Sequence, residues 1–404
     1  VIVVGAGLAG LRCAQLLAAR ELEVILVERA DRVGGRVASD VVDGFRIDRG
    51  FQLLNPSYPQ ARRALDLDGL ALKPFTPGLI VTDGSSVRTL MDPLRVPGRA
   101  LSLLQGPWGS WSSRLALARL LASLRFGSAS KFAVIPDRSA GTWLLEQGIA
   151  TEIVDGLLRP FLAGVLLEDR LESSAAITAL LLRSFLRGSP GVPEGAMRAI
   201  PEQLAASLPQ GSLMLDTPVR AVEERAVGLE DGTRLEADRV VLAVGGEVAD
   251  ELLAALPKRS TRSVTTWWFS AAEPFKSGAT LVVDTTMKTH VNSVEMTAAA
   301  PSYAPRGKVL VAASALGLHP GLDEERAVRE RLGMLHRVAP SSLELVSMSL
   351  IQHALPAFLP PYEASPAIEH NGILVAGDHV ASPSIQGAMA SGERVARAIL
   401  ASGR

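Results

Sequence analysis

The sequence has a single cysteine, no excess of charge of either sign and no long apolar run. One cysteine, Cys13, excludes an intrachain disulfide and any zinc or iron–sulfur cluster built on the cysteines of one chain. It permits a reducing, cytoplasmic-type compartment. Lys plus Arg (41) against Asp plus Glu (42) leave a formal charge of −1, so no global field recommends nucleic acid as a partner. No uninterrupted apolar stretch approaches the ~18–20 residues that cross a bilayer. The chain opens on the strand-like Val1-Ile2-Val3-Val4, with no leader pattern to read. The six histidines, at 290, 319, 336, 353, 370 and 379, are scattered without metal-ligand spacing, and no metal site is expected. What the chain does have is hydrophobic content. At 48% apolar residues and a mean hydropathy of +0.23 it is incompatible with general disorder.

The first forty residues read as a βαβ unit. A β-branched run, Val1–Val4, meets Gly5-Ala6-Gly7-Leu8-Ala9-Gly10, then a helical pattern to about Arg20, then a buried strand Val24–Val27 ending on Glu28. Asp43-Gly44 marks a hairpin tip. From Pro93 to Pro136 there is no Asp or Glu, while Arg95, Arg99, Arg114, Arg119, Arg125 and Lys131 are basic and Trp108 and Trp111 are present. Helical patterns continue through Trp143–Gln147, Ile153–Leu158 and Ala175–Leu186, and Gly188–Gly195 reads as a linker leaving this insert. Strand signals return at Leu213–Leu215, Val219–Val222 and Val240–Val244, then at Val264–Phe269 and Lys308–Ala313. Ile373–Ala376 leads into Gly377-Asp378 and a closing helix from about Ser384 to Ala401.

The expected fold is α/β: a discontinuous, Rossmann-like nucleotide-binding domain with a central parallel sheet, plus a mixed α+β substrate domain. The expected division assigns 1–85, 191–260 and 356–404 to the nucleotide-binding domain, and 86–190 and 261–355 to the other.

Gly5-x-Gly7-x-x-Gly10 between a strand and a helix, with an acid at Glu28 about twenty residues on, is the pattern of a dinucleotide site. Gly5 permits the tight turn, Gly7 lets the backbone approach a pyrophosphate, and Gly10 lets helix and strand pack. The helix N-terminus offers N–H groups to the phosphates and Glu28 accepts ribose hydroxyls. Read alone, the same glycines make an ordinary turn.

Beyond this, Glu28-Arg29-Ala30-x-x-x-Gly34-Gly35-Arg36 resembles the signature of the flavin amine oxidoreductase superfamily, which includes amine oxidases, protoporphyrinogen oxidases and phytoene-type desaturases. Gly377-Asp378-x-x-x-x-Pro383-Ser384-Ile385-Gln386-Gly387-Ala388-Met389-x-Ser391-Gly392 resembles its second cofactor motif. Pro193-x-Gly195-x-Met197 and Pro218-Val219-x-x-Val222 match in order and position. The resemblance implies FAD in a two-domain fold, held by Gly5, Gly7, Leu8, Ala9, Gly10, Glu28, Arg29, Gly34, Gly35, Arg36, Gly50, Val219, Gly377, Asp378, Ser384, Ile385, Gln386 and Ala388. Arg36 would reach a phosphate or else make a surface ion pair. Val219 would offer its backbone to adenine or else be core. Members that tether FAD do so through a cysteine near the C-terminal motif. This chain has none there, so FAD is expected to be non-covalent and Cys13 to be a buried small hydrophobe.

Amine oxidases carry a lysine on a substrate-domain strand, linked through water to the flavin. Aligned on Glu273-Pro274-Phe275, that position falls on Thr266, and no aromatic pair beyond Phe358 and Tyr362 approaches the C-terminal motif. The resemblance therefore implies an oxidoreductase that takes hydride from an apolar or conjugated small molecule, with oxygen or a quinone as electron acceptor. Thr266, His353 and His379 are weak catalytic candidates, the histidines having structural roles as the alternative. An amine or amino-acid oxidase of the same fold is the alternative function. A GDP-dissociation-inhibitor-like binding protein is a third reading, opposed by the intact cofactor motifs. The acid-free 93–136 segment admits three readings: cavity lining, helical core, or peripheral membrane contact with Trp108 and Trp111 as anchors.

Overall fold

The computed structural model describes residues 1–98, 109–133, 135–254, 256, 259–363 and 366–402. Arg99 and Trp108 of the acid-free segment lie outside them. Among the described residues two large sheets organise the chain. The first has six strands in the order Glu369–His370, Ile373–Val375, Val240–Leu242, Ile2–Val4, Ile25–Val27, Leu213–Met214. All neighbours are parallel except the terminal Glu369–His370 pair. Its central strands are fully buried Val/Ile/Leu runs because both faces are covered. Val3 points toward the helices Leu8–Ala18 and Ile385–Ser402. Ile2 and Val4 point to the other side, where Val227 and Leu229 of the small sheet 219–236 pack.

The second sheet has seven strands in the order Leu343–Pro356, Thr261–Ala271, Val309–Leu316, Asn292–Glu295, Leu281–Asp284, Gly78–Thr82, Val87–Met91. The helical insert has its own core of Leu117, Leu120, Leu124, Trp143, Leu162 and Leu182. The boundary expected after residue 85 lies in the turn between Gly78–Thr82 and Val87–Met91, both of which belong to this second sheet. The 188–195 segment is not a free linker. Gly191–Val192 pairs with Lys73–Pro74, and a Cβ at Gly191 would lie 2.3 Å from the Lys73 carbonyl oxygen. Glycine there permits a backbone contact that composition alone reads as flexibility.

The two domains are joined by a buried carboxylate. Asp48, at the end of the hairpin 39–48, accepts from the Ser39 hydroxyl at 2.5 Å, the Tyr303 hydroxyl at 2.8 Å and the Met197 N–H at 3.1 Å. Burial nonetheless pushes its pKa up to about 6 from the ordinary 3.8. Because the folded value is the higher one, the protonated form favours folding. Its contribution is complete below about pH 4 and is lost as pH rises through about 6. Asp48→Asn should cost roughly 1–3 kcal/mol. The parent's advantage over the variant should shrink from about pH 4 to pH 7, by up to about 3 kcal/mol. Thermal melts of both proteins across that range would show it, and a gap that does not change with pH would contradict it.

Candidate functional site

At two of its three glycines the turn 5–10 admits no side chain. Gly5 has φ +100°, and a Cβ there would sit 2.7 Å from the Ala243 carbonyl oxygen. A Cβ at Gly10 would sit 2.0 Å from the Gly5 oxygen, so helix and turn could not approach. Gly7 is different: a Cβ there would meet nothing within 4 Å, so the glycine faces open space. It caps the helix Leu8–Ala18 with no side-chain hydrogen bond, leaving first-turn N–H groups without a capping partner. Gly34 and Gly35, with φ of +114° and +59°, lie alongside. Gly7 and Gly34 form a bridge, and Gly34 donates its N–H to the Ala6 oxygen at 2.8 Å.

Glu28 ends the neighbouring strand and is buried. Its two carboxylate oxygens accept from the N–H of Ala6 at 2.8 Å and of Ala30 at 3.0 Å. It thus braces the glycine turn, a role that the motif did not suggest. Arg29 points outward and is exposed, and Val219 is half-buried in a strand paired with Ala226–Leu229.

The C-terminal motif closes the other side. Gly377, its N–H held by the Ser391 hydroxyl at 2.8 Å, turns Asp378 onto Arg36, and the two form an ion pair at 2.5 Å. Arg36 also donates to the Ala354 carbonyl at 2.9 Å. Burial works against the Arg36 charge, but Asp378 outweighs it and raises the pKa. Neither reading of Arg36 anticipated a partner 342 residues away. The Ser384 hydroxyl accepts the Gly387 N–H at 3.0 Å and caps the closing helix, while Gln386 accepts the Gln60 N–H at 2.9 Å. Ile385 and Ala388 are half-buried on the same first turn. This helix lies so close to the first that a Cβ at Gly392 would be 2.1 Å from the Ala9 oxygen.

Gly50, just after the hairpin 39–48, packs on the second sheet: its φ is +81° and its Cβ position lies 3.8 Å from the Thr266 hydroxyl and 3.9 Å from Ile351. Thr266 is fully buried and shares a hydrogen bond of 3.0 Å with Ser314. Strand register extends this into a lateral row, Ser349, Thr266, Ser314 and Asn292, on one face. Sequence reasoning found Thr266 alone. The other three became visible only through the pairing of strands, although serine at alternate positions with Ala312 in Val309–Leu316 was a faint signal.

The two histidine candidates are placed apart from this row. His353, on the edge strand Leu343–Pro356, shares a 2.7 Å hydrogen bond with Thr261 on the neighbouring strand. His379 is buried against Gly246 and Gly377 with neither ring nitrogen partnered, and burial lowers its pKa, so it is held neutral. Phe358 and Tyr362 do meet, edge to face, with ring centroids 5.8 Å apart. Arg259 already occupies the Phe358 face at 4.6 Å, and the Tyr362 hydroxyl donates to the Ala381 carbonyl. Among the described residues no group of three or more His, Cys, Asp or Glu could hold a metal.

The open Gly7 face, the uncapped first turn, Glu28 and the Arg36–Asp378 pair fit an elongated dinucleotide that carries a pyrophosphate. Comparison with known proteins agrees. The sequence profile of the family described as "Flavin containing amine oxidoreductase" matches residues 8–400. Putrescine oxidase of Kocuria rosea is 28% identical over 55% of this chain and 48% of its own length. The 15-cis-phytoene desaturase of Synechococcus elongatus is 25% identical over 64% of this chain and 57% of its own. The chain therefore spans about half the length of these curated relatives. A solved structure of putrescine oxidase bound to putrescine superposes with a TM-score of 0.76 at 19% identity, over 99% of this chain and 98% of that one. At that identity the likeness speaks for the fold.

Glu28→Ala removes the brace on Ala6 and Ala30 together with the expected ribose acceptor. Each bond to a charged group is worth about 1.5–3 kcal/mol, so FAD affinity should fall at least about tenfold. Titrating FAD into apoprotein by flavin fluorescence would measure it. Unchanged affinity would show that the carboxylate holds no part of the cofactor site.

Proposed function

Because the chain belongs to the flavin containing amine oxidoreductase family, we propose that it removes hydride from an apolar or conjugated small molecule, desaturating or dehydrogenating it. The chain is a flavin-dependent oxidoreductase and its cofactor is FAD. The isoalloxazine supplies the hydride acceptor when bound. The protein's part is to bind, orient and exclude water. Gly7, Gly34 and the first-turn N–H groups would hold the pyrophosphate, and Glu28 the ribose. Asp378 and Arg36 would hold the ribityl and phosphate region, their mutual ion pair keeping both side chains positioned.

One observation carries the choice of substrate class. Thr266, where a lysine would stand in an amine oxidase, is a fully buried neutral side chain that shares a hydrogen bond with Ser314. Its flanking neighbours on that face, Val264 and Trp268, are apolar and buried. Such a wall stabilises an apolar substrate by about 25 cal/mol for each Å² buried, whereas an unpaired amine nitrogen would cost about 1–3 kcal/mol. Of the Phe358–Tyr362 pair, the Phe358 ring already carries Arg259, a cation of the chain's own, on its face. Oxygen or a quinone would reoxidise the flavin. The relation to putrescine oxidase favours a second reading, an amine oxidase.

Two measurements test these readings. Under anaerobic conditions porphyrinogen-like, carotenoid-like or other conjugated compounds should bleach the bound flavin, and simple mono- and polyamines slowly or not at all. Rapid saturable bleaching by an amine, with peroxide formed on admitting air, would reverse the assignment. The second concerns attachment. Cys13 is fully buried in the first helix and its thiol is pushed up to about 12 by burial, so it is no nucleophile for a tether. Acid precipitation should leave FAD in the supernatant, and flavin retained on the denatured peptide would refute non-covalent binding.

A further inference from the structure

The helix Trp111–Phe126 buries one face and leaves an apolar stripe on the other. Ser113, Leu117, Leu120 and Leu124 are buried, the leucines in the core of the insert. The opposite face carries Trp111, Leu115, Ala118, Ala122 and Phe126 at helical spacing, all exposed. Trp111, Leu115 and Phe126 are 70%, 49% and 73% exposed, values unusual for three large apolar side chains on one helix.

The charges around the stripe are as informative as the stripe. Arg119 borders it on one side, and Arg114 and Arg125 on the other. The Arg114 guanidinium lies 5.1 Å from the Trp111 ring. No Asp or Glu occurs from 93 to 136, and Asp92, just before that segment, is paired with Arg95 and Arg125. Read along the sequence, arginines on both sides of a helix look like an imperfect amphipathic pattern. In the fold they are the two banks of an apolar strip.

We propose that this face docks on an anionic lipid bilayer, the helix lying in the plane of the surface. Trp111 opens the helix and Phe126 closes it, so both ends of a rod about 24 Å long would be anchored at one depth. Arg119, exposed on one flank, keeps its stem on apolar surface while its guanidinium reaches lipid phosphates. Arg125 is held by Asp92 and the Leu186 carbonyl, and Arg114 donates to the Gly109 carbonyl, both adding positive charge beside the stripe. No described helix is long and apolar enough to cross a membrane, so the contact is peripheral. Charge argues against a second copy of the chain as the occupant. Two such faces together would oppose arginine to arginine, with no carboxylate on the helix to meet them. The proposal does not depend on the identity of the substrate.

The test uses the FAD-loaded full chain and sedimentation with vesicles of phosphatidylcholine alone or with about one quarter phosphatidylglycerol. Binding to the anionic vesicles should exceed binding to the neutral ones at least about tenfold and weaken as salt is raised. Trp111→Ser with Phe126→Ser should lower the bound fraction about tenfold while flavin absorbance and melting temperature stay those of the parent. Arg119→Glu should weaken binding to anionic vesicles and leave the neutral ones unaffected. Failure of the parent to sediment with anionic vesicles would overturn the proposal. So would a double variant that sediments like the parent, or one that passes from dimer to monomer on sizing, which would make the partner a second copy.

Discussion

Asp48 ties together parts of the chain that lie far apart in sequence. Its carboxylate gathers a hydroxyl from its own hairpin, an N–H 149 residues onward and a tyrosine hydroxyl 255 residues onward. The first two partners lie in the hairpin and in the segment 191–260, while Tyr303 follows the strand Asn292–Glu295 of the second sheet. A discontinuous fold needs such a junction, because its domains are interleaved in sequence and cannot fold one after the other. Three converging donors make a buried carboxyl tolerable, and burial without them would leave both sides unsatisfied. The same convergence places Gly50, two residues on, against Thr266 and Ile351. This carboxylate and the shared core of Met197, Trp268, Ala300 and Tyr303 together set the turn 48–50 against the second sheet.

The cofactor cradle is built from close backbone approaches more than from side chains. Gly5, Gly10 and Gly392 each occupy a place where a Cβ would lie within about 3 Å of a carbonyl oxygen, which no side chain tolerates. Helix, turn and closing helix are therefore drawn into one tight unit, and the space opposite Gly7 is what that tightness leaves. The charged residues then serve two needs. Glu28 braces the turn that surrounds it, and Arg36 and Asp378 neutralise each other across the mouth. Groups with structural work of their own are already oriented when a ligand arrives, which reduces the ordering that binding would otherwise require.

On the second sheet Thr266 and Ser314 share a hydrogen bond, and Asn292 lies beneath the helix Arg159–Leu166, where a Cβ at Gly164 would lie 2.1 Å from its amide nitrogen. Around that pair the face is apolar, with Val264 and Trp268 buried beside Thr266. The helical insert extends this character outward, apolar within at Leu117 and Leu124 and apolar without at Trp111 and Phe126.

The βαβ start, the closing helix and the glycines at 5, 7, 10 and 377 were legible in the sequence. Those features are local: a strand, a turn and a helix terminus are specified by residues adjacent in the chain, and glycine spacing records sterics directly. Tertiary structure alone decided what depends on distant pairing. It joined Arg36 to Asp378, set Ser314 and Ser349 beside Thr266, put Arg259 on Phe358, and turned the apolar side of Trp111–Phe126 outward. Periodicity shows that a helix has two faces. Which face is covered depends on what packs against it, and that is settled only when segments far apart in sequence meet.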